Sequence, residues 1–318
     1  MRRFWQLLAL LLAVMTLGGC TMPADPLEEA VSTLVPHADT VLPLPGEEDR
    51  FPRGNEATLY FRYLDEPCLA SETRAVASSA SMPLERTLTE ALIAGPGTSS
   101  GHLSGLFPAG TRVLSTVHQG RTIFVTFSKE ILSAYPDEPA AWQEDAFWKT
   151  EVPLRRQLCM QALAATLTEN CDADQVCVLV EQSAATDSLR LRRNYYQPGS
   201  SDASPAELLT RRDDLLLTPD NSLQMILTLW QQRSWQRLTR YLLSGEDAAF
   251  TAQADNLPHL TDFAFSGPSI NDNRATFTVQ LDIPGTASQP RVMRLYFSGG
   301  LWKMDAHDLL SLTAEVSP

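Results

Sequence analysis

The run Gly97-Thr98-Ser99-Ser100-Gly101 has the spacing of a G-x-S-x-G nucleophile elbow. Such an elbow needs a strand before the serine and a helix after it, so that Oγ stands above a sheet. Here a helical pattern and Pro96 precede the run and the Ser104-Gly105 loop follows, so a flexible loop is expected and no catalytic residue is assigned. The histidines His37, His102, His118, His259 and His307 are scattered, with no two at i, i+4, and no metal site is expected. No phosphate loop or dinucleotide fingerprint occurs, because the glycines fall in turn contexts rather than before helices; no cofactor is expected. Acidic runs such as Glu47-Glu48-Asp49 and Asp213-Asp214 lie in polar segments and read as solvated surface. Trp142, Phe147 and Trp148 are clustered in a stretch otherwise polar, at Gln143, Glu144, Asp145 and Lys149. They are candidate partner-binding residues, with packing beneath a loop as the alternative.

The start of the chain carries a different chemistry. Arg2 and Arg3 precede a stretch from Phe4 to Leu17 that is apolar except for Gln6 and Thr16. That is a positive n-region followed by an apolar region too short for a comfortable membrane span. Leu17-Gly18-Gly19-Cys20 then resembles the lipobox of bacterial lipoproteins. The resemblance implies removal of residues 1–19 as a signal peptide and a lipid on the Cys20 thiol. Residues 20–55 would form an acylated tether on the outer face of the cytoplasmic membrane. That segment is rich in proline (Pro23, Pro26, Pro36, Pro43, Pro45, Pro52), and a flexible tether of its length spans roughly 30–35 Å.

With Cys20 lipidated, Cys68, Cys159, Cys171 and Cys177 remain, an even set in an exported chain. Cys171 with Cys177 and Cys68 with Cys159 is the expected pairing; buried free thiols and, more remotely, a metal site stay open as alternatives. The 318 residues carry 25 Lys+Arg against 38 Asp+Glu, a net charge of −13. Such a surface repels phosphate backbones, so nucleic acid is excluded as a partner.

The elements that must carry these residues follow from periodicity. Ala57 to Leu64 reads as a strand, with Leu59, Phe61 and Tyr63 on one face. A helix starting at Pro83 places Leu84, Leu88 and Leu92 on one side and stops at Gly95-Pro96. Arg112 to Val117 and Thr122 to Phe127 alternate around Gly120 as an antiparallel hairpin. A helix with Pro153 near its start reaches Thr168 and buries Leu154, Leu158, Ala162 and Ala165; the strand Gln175 to Glu181 follows. The order β-α-β-β-α-β predicts an α+β sandwich of helices on one sheet over 56–196. A polar break at 197–215, with Ser200, Ser201, Ser204 and Pro205, reads as a linker.

Within this first region Leu59-Tyr60-Phe61, Leu92-Ile93-Ala94-Gly95-Pro96 and Leu106-Phe107-Pro108-Ala109-Gly110-Thr111 occur in order. Val125-Thr126-Phe127-Ser128 and Ala165-Thr166-Leu167-Thr168-Glu169 continue the series. Together they resemble the GerMN domain family of spore germination and sporulation lipoproteins. The resemblance implies a non-enzymatic assembly or interaction factor of the cell envelope, with envelope or sporulation proteins as partners. A module binding peptidoglycan or a small ligand is the alternative.

The second region, 216–318, opens with a helix capped at Asp220 or Asn221 and carrying Leu223, Ile226, Leu227 and Trp230. A second apolar stripe follows at Trp235, Leu238, Tyr241 and Leu242. Strands are expected at Thr261–Phe265, Arg274–Ile283, Arg291–Ser298 and Leu301–Ala306, with Gly299-Gly300 as a two-residue hairpin turn. Helices followed by a curved antiparallel sheet resemble the cystatin-like folds of nuclear-transport-factor-two type.

Overall fold

The first strand decides the architecture of the N-terminal half. In the computed structural model, which describes residues 53–79, 81–183, 187–197, 200–243 and 247–314, β1 runs over Arg53–Tyr63 and is buried on both faces. Leu59, Phe61 and Tyr63 are covered on one face, and so are Tyr60 and Arg62 on the other. β1 pairs antiparallel with β2 (Leu69–Ser78) along its length and with the short β3 (Leu103–Ser104) at its end. These three strands form a sheet of their own, in the order β2-β1-β3. A second, five-stranded sheet holds the hairpin β4 (Val113–Gln119) and β5 (Thr122–Phe127), then β6 (Gln175–Ser183), β7 (Asp187–Arg190) and β8 (Leu209–Thr210). β5 and β6 are parallel; the other pairs are antiparallel. The region is thus an α+β fold, but two sheets stand where one was expected.

The helix between the hairpin and β6 explains how two sheets share a core. It is α2, Ala146–Asn170, and α1 is the helix Leu84–Ala94. Every residue from Leu158 to Leu167 in α2 is buried, where sequence reading gave it a single buried side. A helix apolar all round needs neighbours all round, and α2 contacts β1 on one side and β6 and β8 on the other. Its polar side chains also finish the open edge of β1. Asn170 Oδ1 accepts from the Thr58 amide (2.9 Å), its Nδ2 donates to the Thr58 carbonyl (2.8 Å), and Thr166 Oγ1 accepts from the Tyr60 amide (3.1 Å). An unpaired strand edge is thereby satisfied without another strand.

Pro153 lies inside α2 rather than at its start, because Asp145 caps the helix eight residues earlier. Its Oδ1 accepts from the amides of Phe147 (2.8 Å) and Trp148 (3.0 Å).

The expected linker is partly woven into the second sheet. Pro205 bridges Arg192, and Leu209-Thr210 forms β8 against β6. Leu216 then bridges Leu69 in parallel, and the Leu217 amide donates to the Leu69 carbonyl at 2.8 Å. The described residues accordingly form one compact unit.

In the C-terminal region α3 (Pro219–Gln231) is capped by Thr218, whose hydroxyl accepts from the Asn221 amide at 3.2 Å. The expected cap at Asp220 or Asn221 is displaced because Pro219 takes the first helical position, where its missing N–H costs nothing. Short helices α4 (Trp235–Leu238) and α5 (Asp247–Gln253) follow. β9 (Asp262–Phe265), β10 (Ser269–Asn271), β11 (Arg274–Asp282), β12 (Pro290–Ser298) and β13 (Leu301–Met304) then build an antiparallel sheet, and α6 (Ala306–Ala314) ends the described chain. β11 buries Ala275, Phe277, Val279 and Leu281 on alternate positions, as its sequence pattern predicts. Gly299 and Gly300, at φ +61° and +80°, make the expected two-residue turn. Among the described residues no helix is long and apolar enough to cross a membrane. Residues 1–52, with the signal-peptide segment, Cys20 and nearly all of the tether, lie outside the described residues.

Candidate functional site

The aromatic cluster is assembled by the start of α2. Trp142 lies in a single 3-10 turn, Trp142–Glu144, and Asp145 then turns the chain into the helix. Phe147 is 61% exposed and meets Trp148 edge-on, with ring centroids 5.3 Å apart. Trp148 is half-buried because the Arg155 guanidinium lies 5.4 Å from its ring centre and 5.6 Å from that of Tyr135. Arg155 is fixed in turn by Asp137 (2.7 and 2.8 Å) and by Glu151 (2.6 Å). The structure therefore joins Phe147 and Trp148 into a held pair; among the described residues no ring contact ties Trp142 to it.

Behind this pair runs a buried ionic chain that sequence reading missed. Arg62 binds both carboxylate oxygens of Glu151, and its remaining donors reach the carbonyls of Asp65 (2.7 Å) and Glu66 (3.0 Å). The Glu66 carboxylate holds Arg237 and Arg240, and Arg240 also reaches Asp65 at 2.6 Å. Asp137, Arg155, Glu151, Arg62, Glu66 and Arg237 thus link α2 through the β1–β2 turn to α4. Burial pushes the Glu151 carboxyl up, but the hydrogen bonds and charges of Arg62 and Arg155 outweigh it and hold the group below its ordinary value. No local spacing betrays the chain, since Arg62 and Glu151 are 89 positions apart and Glu66 and Arg237 are 171 apart. With their donors and acceptors spent on one another, these residues act as a strut.

The Gly97–Gly101 run is a turn that follows α1, and Ser99 is exposed on it. The Glu72 carboxylate anchors the turn by accepting from the Gly97 amide at 2.9 Å. Burial raises the Glu72 carboxyl, yet Arg74, the Gly97 amide and Ser100 together hold it below the usual range. His118 is clamped between Glu85 (2.9 Å) and the Asp172 carbonyl (3.2 Å). His102 lies beside the Tyr63 ring, and burial, with Lys303 nearby, lowers its pKa. Among the described residues no three His, Cys, Asp or Glu side chains converge to hold a metal.

The four cysteines are free thiols, against the expected pairing of Cys171 with Cys177 and Cys68 with Cys159. Strand alternation explains the first pair. Val176, Val178 and Val180 of β6 stand in register with Ile123, Val125 and Phe127 on the face that α2 covers, so Cys177 points to the opposite face from the helix that Cys171 ends. The second pair is divided by neighbourhood: Cys68 lies near Glu66 and Tyr241, and Cys159 near Tyr135 and Tyr195. Burial pushes the Cys68 and Cys171 thiols up to about 12, which makes them poor nucleophiles at neutral pH. Denatured, unreduced protein carrying Cys20→Ala should therefore titrate four thiols with Ellman's reagent. A count of zero would restore both bonds.

A further surface feature lies at the edge of the second sheet. The outer side of β7 borders an apolar groove of about 430 Å³, whose walls include Leu132, Leu189, Leu191 and Tyr195. Leu132 and Leu189 are exposed there.

With this geometry in hand, residues 58–186 match the family model Germane, described as "Sporulation and spore germination". This stretch is therefore GerMN-like, and it takes in most of β1, all of α1 and α2, and the strands from β2 to β6. Two related solved structures come from the sporulation protein GerM of Bacillus subtilis. Its tandem GerMN domains are 18% identical over 51% of this chain and 48% of that one, with a TM-score of 0.33. Its first GerMN domain is also 18% identical, covering 50% of this chain and 99% of that one, again with a TM-score of 0.33. A putative lipoprotein from Clostridium perfringens is 22% identical over 50% of this chain and 89% of that one, with a TM-score of 0.28. The chain thus spans about half the length of the tandem-domain structure. No curated protein matches it.

Proposed function

We propose that this chain is a lipoprotein, held by Cys20 on the outer face of the cytoplasmic membrane, that gathers envelope proteins during sporulation or spore germination without catalysing a reaction. The family of its GerMN-type domain supports the process. The observation that carries the interaction role is Phe147. A large apolar ring is 61% exposed, yet its position is fixed by the Asp145 cap and by Trp148, which Arg155 holds in turn. A pre-ordered aromatic loses little freedom on docking, and such residues concentrate binding energy at protein interfaces. The charged side chains behind it are engaged in the strut, which fits a scaffold better than a reaction centre.

The test is co-purification from detergent-solubilised envelopes of a strain making the tagged chain. Wild type should fractionate with membranes and bring down a defined partner, and Phe147→Ser should lose the partner while keeping its circular dichroism and its membrane fraction. Equal recovery by both would remove Phe147 from the interface, and release of wild type from membranes by salt alone would remove the lipid anchor.

A further inference from the structure

Gln161 is a buried glutamine in the all-round-buried part of α2, only 8% exposed, and its Oε1 has no hydrogen-bond partner in the protein. Buried side-chain oxygens are nearly always paired, so an unpaired one needs a reason. It lines a cavity of about 290 Å³ between α2, the segment Tyr196-Gln197 and β8. The cavity also presents the amides of Gln157 and Gln197, while Met160, Tyr196 and Leu209 give it an apolar side. Glu207 and Arg212 stand in its wall, but each is already committed, Glu207 to Arg193 and Arg212 to Asp214 at 2.5 Å. What remains is an amide-rich pocket whose wall charges are paired, open to solvent through Gln197 and Thr210, both exposed.

We infer that this pocket binds a sugar unit, a small neutral ligand with hydroxyls along one side and C–H groups on the other. A hydroxyl both donates and accepts, so it can bond two of the amides of Gln157, Gln161 and Gln197 at once. The C–H side of the ring fits against Met160 and Tyr196. The volume lies near the lower end of small-molecule sites, roughly 300–1,000 Å³, which suits one ring rather than a long chain. A phosphorylated or carboxylated ligand is disfavoured, since the guanidinium in the wall, Arg212, is paired with Asp214. The pocket shares no residue with the Phe147–Trp148 pair, so this inference and the assembly role can fail separately.

The experiment is saturation-transfer NMR on the full chain with glucose, N-acetylglucosamine, an N-acetylglucosamine tetramer, and glucuronate as the charged control. Transfer to a neutral sugar is expected, with dissociation constants on the order of millimolar for a monomer. Tighter binding of the tetramer would identify a polymeric glycan as the source, and equal binding a free sugar. Gln161→Leu should weaken binding roughly tenfold while leaving Tm unchanged or higher, because it removes an unpaired buried oxygen. Gln197→Ala, on the exposed rim, should weaken it less without touching the core. No transfer from any neutral sugar, stronger binding of glucuronate, or binding that survives Gln161→Leu would each overturn the inference.

Discussion

Replacing Arg62 by methionine should destabilise the protein by about 3–5 kcal/mol, the cost of removing one partner from a buried ion pair. Its side chain is 5% exposed and that of Glu151 is 8% exposed. Without Arg62, Glu151 keeps only Arg155, and the Asp65 and Glu66 carbonyls lose their donor. For a unit of this size each kcal/mol moves Tm by about 2–4 °C, so a fall of about 6–20 °C is expected. The double replacement Arg62→Met, Glu151→Met should recover a large part of that loss, because the bare carboxylate goes with its partner and Arg155 still has Asp137. Additive losses in the double variant would show that the two groups do not act as a pair.

The same pair fixes the direction of the acid response. Glu151 is held below its ordinary value of 4.5 in the folded chain, so folding is favoured by this group above that value and the contribution is lost as pH falls through the lowered folded value. Urea midpoints measured on the acid side of 4.5 should decline more steeply for wild type than for the double variant. Parallel declines would mean that other carboxylates govern acid unfolding.

Much of this framework is legible in the chain because local pattern and tertiary role agree. β11 reads as a strand since Ala275, Phe277, Val279 and Leu281 alternate with polar residues, and one covered face is what β11 has. α1 and the β4–β5 hairpin are recovered for the same reason. β2 is not, because Leu69-Ala70-Ser71-Glu72-Thr73-Arg74 lacks alternation: its small and charged residues follow the needs of β1, the Gly97 turn and the C-terminal hairpin. The pattern predicts one sheet in place of two because a helix buried on all sides looks, in sequence, like a helix with one apolar stripe and several alanines. The strut was invisible for a different reason. Arg62, Glu66 and Glu151 look like ordinary surface charges until chain segments far apart in sequence bring them together. The aromatic pair is readable as composition, but Trp148 is held by Arg155, about two turns further along the same helix, and nothing in the sequence marks that contact.

Gly300→Ala should be the second damaging change, and it probes how the C-terminal hairpin meets the N-terminal sheet. Gly300 lies at φ +80°, which an L side chain adopts only under strain, and a Cβ there would overlap the Ser71 carbonyl oxygen of β2. That carbonyl is backbone in a paired strand, with Ser71 opposite Tyr60, so it cannot swing aside as a side-chain end could. Ser71 Oγ also donates to the Gly300 carbonyl at 3.3 Å, and the two contacts together fix the hairpin against β2. The strained φ and the overlap each cost about 1–3 kcal/mol, so a loss of roughly 2–6 kcal/mol is expected. Gly299→Ala is the internal control: its φ is +61°, but a Cβ there meets nothing within 4 Å. It should therefore cost only the conformational part, about 1–2 kcal/mol. Hydrogen exchange gives the location as well as the size. The Leu217 amide, which donates to the Leu69 carbonyl at the adjoining seam, should exchange faster in Gly300→Ala than in Gly299→Ala. Equal exchange and equal stability in the two variants would mean that the hairpin tip does not bear on β2, and that the seam is held by the Glu66 strut and the Leu69–Leu216 bridge instead.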